Sequence, residues 1–171
     1  MIGAALSSFI LAGVLTAFLF LGRSGANIQN YSEMETQARR ALEQFAQDTR
    51  QASAITWLST ESVELLVDGN RVTYTYAAGR FTRTLVVATT PPTTTTLTIL
   101  SGISSFSFKA YSITGDSING IGTTTSLASA SKSTKQLQIS LQASRSSKTV
   151  STATNTVLSA RFILRNKRVT T

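Results

Sequence analysis

Any chemistry in this chain must come from carboxylates, hydroxyls, amides, amines and guanidiniums, because its 171 residues include no histidine and no cysteine. That excludes a Ser-His-Asp triad, an imidazole metal ligand, a thiolate zinc site, a Cys nucleophile and a disulfide framework. Ser7 and Ser8 therefore have no His to activate them. Glu33, Glu35 and Glu43 share one predicted helix, but their spacing is that of a solvated face rather than of an acid/base pair. Gly115, Gly120 and Gly122 are not followed by Lys-Ser/Thr and a helix, so they do not form a phosphate loop. Asp68-Gly69-Asn70 resembles part of a calcium loop but lacks the later acidic ligands, and reads as a hairpin turn. No catalytic, cofactor-binding or metal-binding residue is expected, and no cofactor or small-molecule substrate.

The remaining chemical resource is charge. Lys and Arg number 16 against 8 Asp and Glu, for a net charge of +8. From Met1 to Asp68 acids outnumber bases, whereas everything from Lys109 onward contains one acid, Asp116. Arg161, Arg165, Lys167 and Arg168 make a basic C-terminal tail, a possible anion or DNA contact. Alternation puts Arg161 and Arg165 on one strand face, with Lys167 in register if the strand continues. No aromatic is interleaved along that strand face for base stacking, so any DNA contact would be to phosphates and salt-sensitive. The competing reading is a solvated outer sheet face.

These groups must be held by three segments. Residues 1–22, MIGAALSSFILAGVLTAFLFLG, carry no charged side chain and no Pro. As a helix they would span roughly 30 Å, one hydrocarbon core. The run is too long for a signal peptide and lacks its basic start, so a retained anchor is expected. Ser7, Ser8 and Thr16 can bond back to helix carbonyls. Residues 23–55 continue as an amphipathic helix. Its apolar stripe is Ile28, Tyr31, Met34, Ala38, Ala41, Leu42, Phe45, Ala52 and Ile55, while Arg40, Glu43, Gln47, Asp48 and Arg50 keep the rest polar. Glu35 and Arg39 form a favourable i,i+4 pair. Gly22, Ser24 and Gly25 mark a weak point between the two halves. The stripe, with Ile28, Tyr31, Ala38, Leu42 and Phe45 as its sheet-facing residues, is expected to pack on a sheet; a coiled-coil seam is the alternative.

Residues 56–171 form the predicted β head. Val63/Leu65/Val67, Val72/Tyr74/Tyr76 and Phe81 to Val87 give a three-stranded meander, with turns at Asp68-Gly69-Asn70 and Ala78-Gly79. Thr89–Thr96 is too rich in Pro and Thr for a central strand. Phe106 and Phe108 share a face, Thr114–Thr134 reads as a long loop, and Leu137/Ile139/Leu141 alternate. Ser144–Asn155 reads as a hairpin loop before a last strand through Leu158, Ala160, Phe162 and Leu164. The expectation is an α+β fold: one long helix packed on about six or seven antiparallel strands.

An apolar helix that runs into an amphipathic one and then a Cys-free β meander resembles a type IV pilin or pseudopilin. The details favour the branch of the J-type pseudopilins of type II secretion and the W-type minor pilins. The resemblance is carried by ARRALEQFAQDTRQAS (Ala38–Ser53), ELLVDGNRVTYTYAAGRFTRT (Glu64–Thr84) with its Arg83 after the second turn, and SARFILRNKR (Ser159–Arg168). It covers nearly the whole chain as an order of elements. It implies a structural subunit with identical or homologous subunits as partners. It also implies a single pass through a bacterial inner membrane, a head in the periplasm, and later residence in a periplasmic or extracellular filament.

In such a filament Ile2, Gly3, Leu6, Phe9, Ile10, Gly13, Val14, Ala17, Phe18 and Leu21 would pack against neighbours. The small residues Gly3, Ala4, Ala5, Gly13 and Ala17 would allow close approach. Thr89–Thr96 and Thr114–Thr134 would be exposed surface, suited to O-glycosylation or simply to flexible loops.

One departure stands out. The family's Gly-Phe-Thr-Leu-x-Glu start is absent, and Met1-Ile2-Gly3 resembles the stretch just C-terminal to that string. Either the chain begins late, or the protein lacks the Glu as tip-type pseudopilins do. Arg23, Arg39 and Arg40 all lie after the span, which taken literally places the head in the cytoplasm; basic residues ahead of Met1 would reverse that. A membrane-anchored periplasmic module and a DNA-binding pilin are the other readings.

Overall fold

The computed structural model describes residues 2–119, 121, 124–147 and 150–168, without the side chains of 2, 4, 5, 26, 27, 124, 125, 145–147 and 150–156. Gly120 and Gly122 of the rejected phosphate loop lie outside the described residues. So do 148 and 149 of the expected hairpin loop.

The chain is α+β. One helix, α1 (Ile2–Gln51), runs unbroken through Gly22, Ser24 and Gly25. It stops four residues short of the expected end, and Ile55, read as the last stripe residue, lies instead in a strand. Ser53 N–H turns away from the helix to Leu66 O, and the Asn166 side chain donates to Gln51 O at 3.2 Å, satisfying a carbonyl the helix leaves open. A β-branched pair, Ile55 and Thr56, then favours extension.

The rest of the fold has nine strands among the described residues, in two sheets rather than one. The first is a meander in chain order: β1 (Ala54–Ser59), β2 (Ser62–Val67), β3 (Asn70–Ala77), β4 (Arg80–Val87) and β5 (Thr93–Ser101). Both predicted turns are two-residue hairpins. Asp68 and Gly69 have φ 49° and 79°, and Ala78 and Gly79 have 47° and 72°. These positive values match the right-handed strand twist. Asn70 Oδ1 is occupied by Ala88 N–H, so the turn residues serve the backbone.

The second sheet contains β6 (Ile103–Tyr111), β7 (Ser117–Ile118), β8 (Gln136–Ser147) and β9 (Val150–Ile163), ordered β7-β6-β8-β9. Gly102 joins the sheets. Its φ is +76°, and a Cβ there would lie 2.8 Å from Ser144 O, so only glycine lets the chain cross at this point.

Three loop expectations change. Thr89–Thr96 contributes to a strand from Thr93, at the sheet edge where β-branched threonines suit extension. Ser144–Asn155 is largely strand, with Ser144 paired to Asn155 and Ser147 to Val150. Thr114–Thr134 holds a helix, α2 (Thr124–Ser133), whose weak formers are supported by tertiary contacts. Ala130 is buried, Ser131 Oγ accepts Trp57 N–H at 2.8 Å, and Thr134 Oγ1 accepts Trp57 Nε1–H at 3.0 Å.

The inner faces of both sheets and the C-terminal half of α1 enclose one core. Phe45 is its hub, with ring centroids 4.9 Å from Tyr74, 5.8 Å from Phe108 and 5.7 Å from Phe162. Tyr76 stacks on Phe106 at 4.7 Å, joining the sheets directly.

Candidate assembly helix, buried ion cluster and basic tail

The first turns of α1 are apolar on every side and touch nothing in the head. Leu6, Phe9, Ile10, Gly13, Val14, Ala17, Phe18 and Leu21 are all exposed, Phe9 by 84%, and so is Gly3. For Ile2, Ala4 and Ala5 only the helical backbone is described. The polar atoms in the run are satisfied locally: Ser7 Oγ donates to Gly3 O at 3.0 Å and Thr16 Oγ1 to Ala12 O at 2.8 Å. This helix is long and apolar enough to cross a membrane. A run of this kind needs lipid or other helices, because water cannot cover it without cost.

The sheet-facing stripe is shorter than expected. Ala38 and Phe45 are fully buried and Leu42 is partly so, whereas Ile28 and Tyr31 are 68% and 44% exposed. Burial begins at Met34, because the head reaches no further along the helix. The Arg39–Glu35 pair forms as expected, at 2.7 Å on the surface.

Asp48 is the largest correction on α1. Assigned to the polar face, it is 3% exposed. Its Oδ2 accepts from Tyr74 Oη at 2.6 Å and from Arg83 Nε at 2.7 Å, and its Oδ1 from Gln44 Nε2 at 3.3 Å. Burial, then the hydrogen bond to Asp48, pushes the Tyr74 phenol up, so it stays a neutral donor. For Arg83, burial alone would lower the pKa, but the Asp48 carboxylate outweighs it and holds it above its ordinary value. The cluster clamps α1 to β3 and β4. Its signal was in the sequence: Ala38, Ala41, Phe45, Asp48 and Ala52 keep a 3-4-3-4 spacing, and Arg83 alternates with Phe81 and Leu85. A carboxylate on an apolar stripe and a guanidinium on an apolar strand face each need the other.

The basic tail does not act as one surface. Arg161 lies 3.6 Å over the Tyr111 ring and donates to Gln138 Oε1 at 3.3 Å. Tyr111 comes from β6, so an aromatic does occupy that face, supplied by another strand. Arg165 and Arg168 are exposed beyond the end of β9.

Lys167 is 7% exposed and leaves the group. Its Nζ donates to Ser131 O at 2.6 Å, Lys132 O at 2.8 Å and Thr134 O at 2.7 Å. It caps the C-terminus of α2, where a cation suits the helix dipole. Lys135 Nζ in turn donates to Lys167 O. Burial, then the Lys135 charge, pushes Lys167 down to about 8, so at neutral pH it keeps the proton that fills all three acceptors. Lys167→Met is expected to cost about 1.5–3 kcal/mol, as for hydrogen bonds from a charged group. Urea midpoints read by the fluorescence of Trp57, the single tryptophan, check this; an unchanged midpoint would mean water replaces the ammonium.

No protein-family model matches this chain, and no curated protein matches it.

Proposed function

We propose that this protein is a pilin-like structural subunit, a minor pilin or pseudopilin of a type IV pilus or type II secretion pseudopilus, that assembles through the N-terminal half of α1. The observation that carries this reading is the contrast along a single helix. From Met34 onward α1 is clamped into a β head, while the side chains from Leu6 to Leu21 are exposed and uncharged, all of them apolar but Ser7, Ser8 and Thr16. Before assembly the exposed half sits in the inner membrane with the head in the periplasm. In the filament it exchanges lipid for neighbouring helices, and weak packing contacts add up because every subunit repeats them. No group in the site is asked to do chemistry, and the head is carried as outward surface.

The absence of cysteine makes a direct test available. A chain carrying both Leu6→Cys and Val14→Cys, oxidised in sheared surface filaments, is expected to give a crosslinked ladder beyond dimer. A protein found only in membranes, with no species above dimer, would rule the filament out.

A further inference from the structure

The two edges of the five-stranded sheet are treated differently. At β1 the edge is covered: Trp57 N–H, which points out of the sheet, is taken by Ser131 Oγ of α2. At β5 it is open. Ala77 pairs with Arg80 across a two-residue turn, so Thr82, Thr84 and Val86 turn their backbone groups toward β3. Arg83, Leu85 and Val87 then turn theirs toward β5, where they face Leu97, Thr95 and Thr93. The N–H and C=O groups of Thr94, Thr96 and Thr98 are left pointing outward along the free edge. From Thr93 to Ser101 the strand carries no charge and no Pro, the usual guards of a free edge.

A cleft of about 480 Å³ continues this edge, between α1 and the end of β5. Its walls include Leu97 and Leu100, which are apolar, and Gln44, Arg40 and Arg83. Arg40 is exposed and has no ion-pair partner among the described residues. Arg83 gives Nε to Asp48 and lines the cleft with a side chain 20% exposed. The cleft thus has one more positive charge than it has carboxylates to balance it.

We propose that β5 docks an extended segment of a partner protein as a sixth strand, with an acidic side chain of that segment seated in the cleft against Arg40 and Arg83. Main-chain bonds to Thr94, Thr96 and Thr98 supply the adhesion, and the charge selects the partner. A second copy's β5 fits less well, because it brings no carboxylate to the cleft. Docking of this kind needs only the head, and is read out whether or not α1 polymerises.

The test uses the full chain in detergent micelles at low salt. The probe is a capped eight-residue peptide of threonine and valine with one central glutamate, and the readout is amide hydrogen exchange. In the free chain Thr94, Thr96 and Thr98 are expected to exchange fast, and Thr93, Thr95 and Leu97 slowly. The peptide is expected to slow Thr96 at least about ten-fold, as a new ladder bond requires. The same peptide with glutamine should bind roughly five-fold more weakly, the upper range for an exposed ion pair. Arg40→Glu should turn the preference toward a lysine peptide. Thr96→Pro removes an outward donor without touching the β4 ladder, and should abolish protection.

If Trp57 fluorescence shows that Thr96→Pro does not fold, Arg40→Glu decides alone, since it alters only an exposed side chain. No protection at millimolar peptide, equal binding of the glutamate and glutamine peptides, or protection that appears as the chain pairs with itself would each overturn the proposal.

Discussion

Asp48→Ala will destabilise the head by about 3–5 kcal/mol, the usual cost of leaving one member of a buried ion pair alone. The substitution strips Arg83 Nε and Tyr74 Oη of their acceptor at once. Tyr74 is fully buried, so its hydroxyl cannot turn to water, and the Arg83 side chain is one-fifth exposed, which softens its share. Asp48→Asn keeps an oxygen for Tyr74 and loses the charge, so it should fall between alanine and wild type. The triple variant Asp48→Leu, Arg83→Met and Tyr74→Phe should recover much of the loss, because a buried pair replaced by apolar groups of similar volume is often neutral and the phenylalanine leaves no buried hydroxyl without an acceptor. Urea unfolding tracked through Trp57 measures all three. A loss below about 1 kcal/mol for Asp48→Ala would place the cluster in water's reach, and the clamp on α1 would have to be sought in Phe45 alone.

How far the sequence disclosed this architecture depends on which force dominates in each element. The apolar run and the stripe through Ala38, Ala41 and Phe45 were legible because hydrophobic period alone fixes them. The two hairpins were legible because Asp68-Gly69 and Ala78-Gly79 supply the positive φ that such turns need. The limit of the stripe was not. Ile28 and Tyr31 have the right spacing, but whether the head extends far enough to cover them is a tertiary fact.

The same holds for α2. Its sequence is mostly Thr, Ser and Ala, and it is held by Trp57, Thr134 and Lys167, each distant from it or beyond its end in sequence. Lys167 looked like one more charge in a basic tail, and only the path of the chain after Leu164 buries it. Asp48 differs again. Its position on the stripe was legible, and its type misled, because a carboxylate is assigned to solvent by default.

Gly13→Leu is expected to separate anchoring from assembly. Beyond the helix's own backbone, nothing lies within 4 Å of where a Cβ at Gly13 would stand, so the isolated helix has room for a leucine side chain there. Leucine gains about 1 kcal/mol of helix propensity and adds hydropathy, which leaves membrane insertion intact or improved. Between packed helices the same side chain fills the space that a glycine leaves for close approach, at roughly 1–3 kcal/mol for each contact. If α1 polymerises as proposed, every subunit would repeat the contact and the cost would recur, so the variant should remain in membranes while disappearing from sheared filaments. Leu11→Arg is the companion. An arginine near the middle of the span costs about 2.5–3.5 kcal/mol on insertion, so it should weaken both fractions together. The head should keep its fold in both variants, because Leu11 and Gly13 are exposed and lie far along α1 from its first buried residue, Met34. Normal filament incorporation of Gly13→Leu would remove the close-packed bundle from the mechanism. Retention of wild type and Gly13→Leu alike in membranes alone would leave α1 as an anchor, with the head as the part that meets a partner.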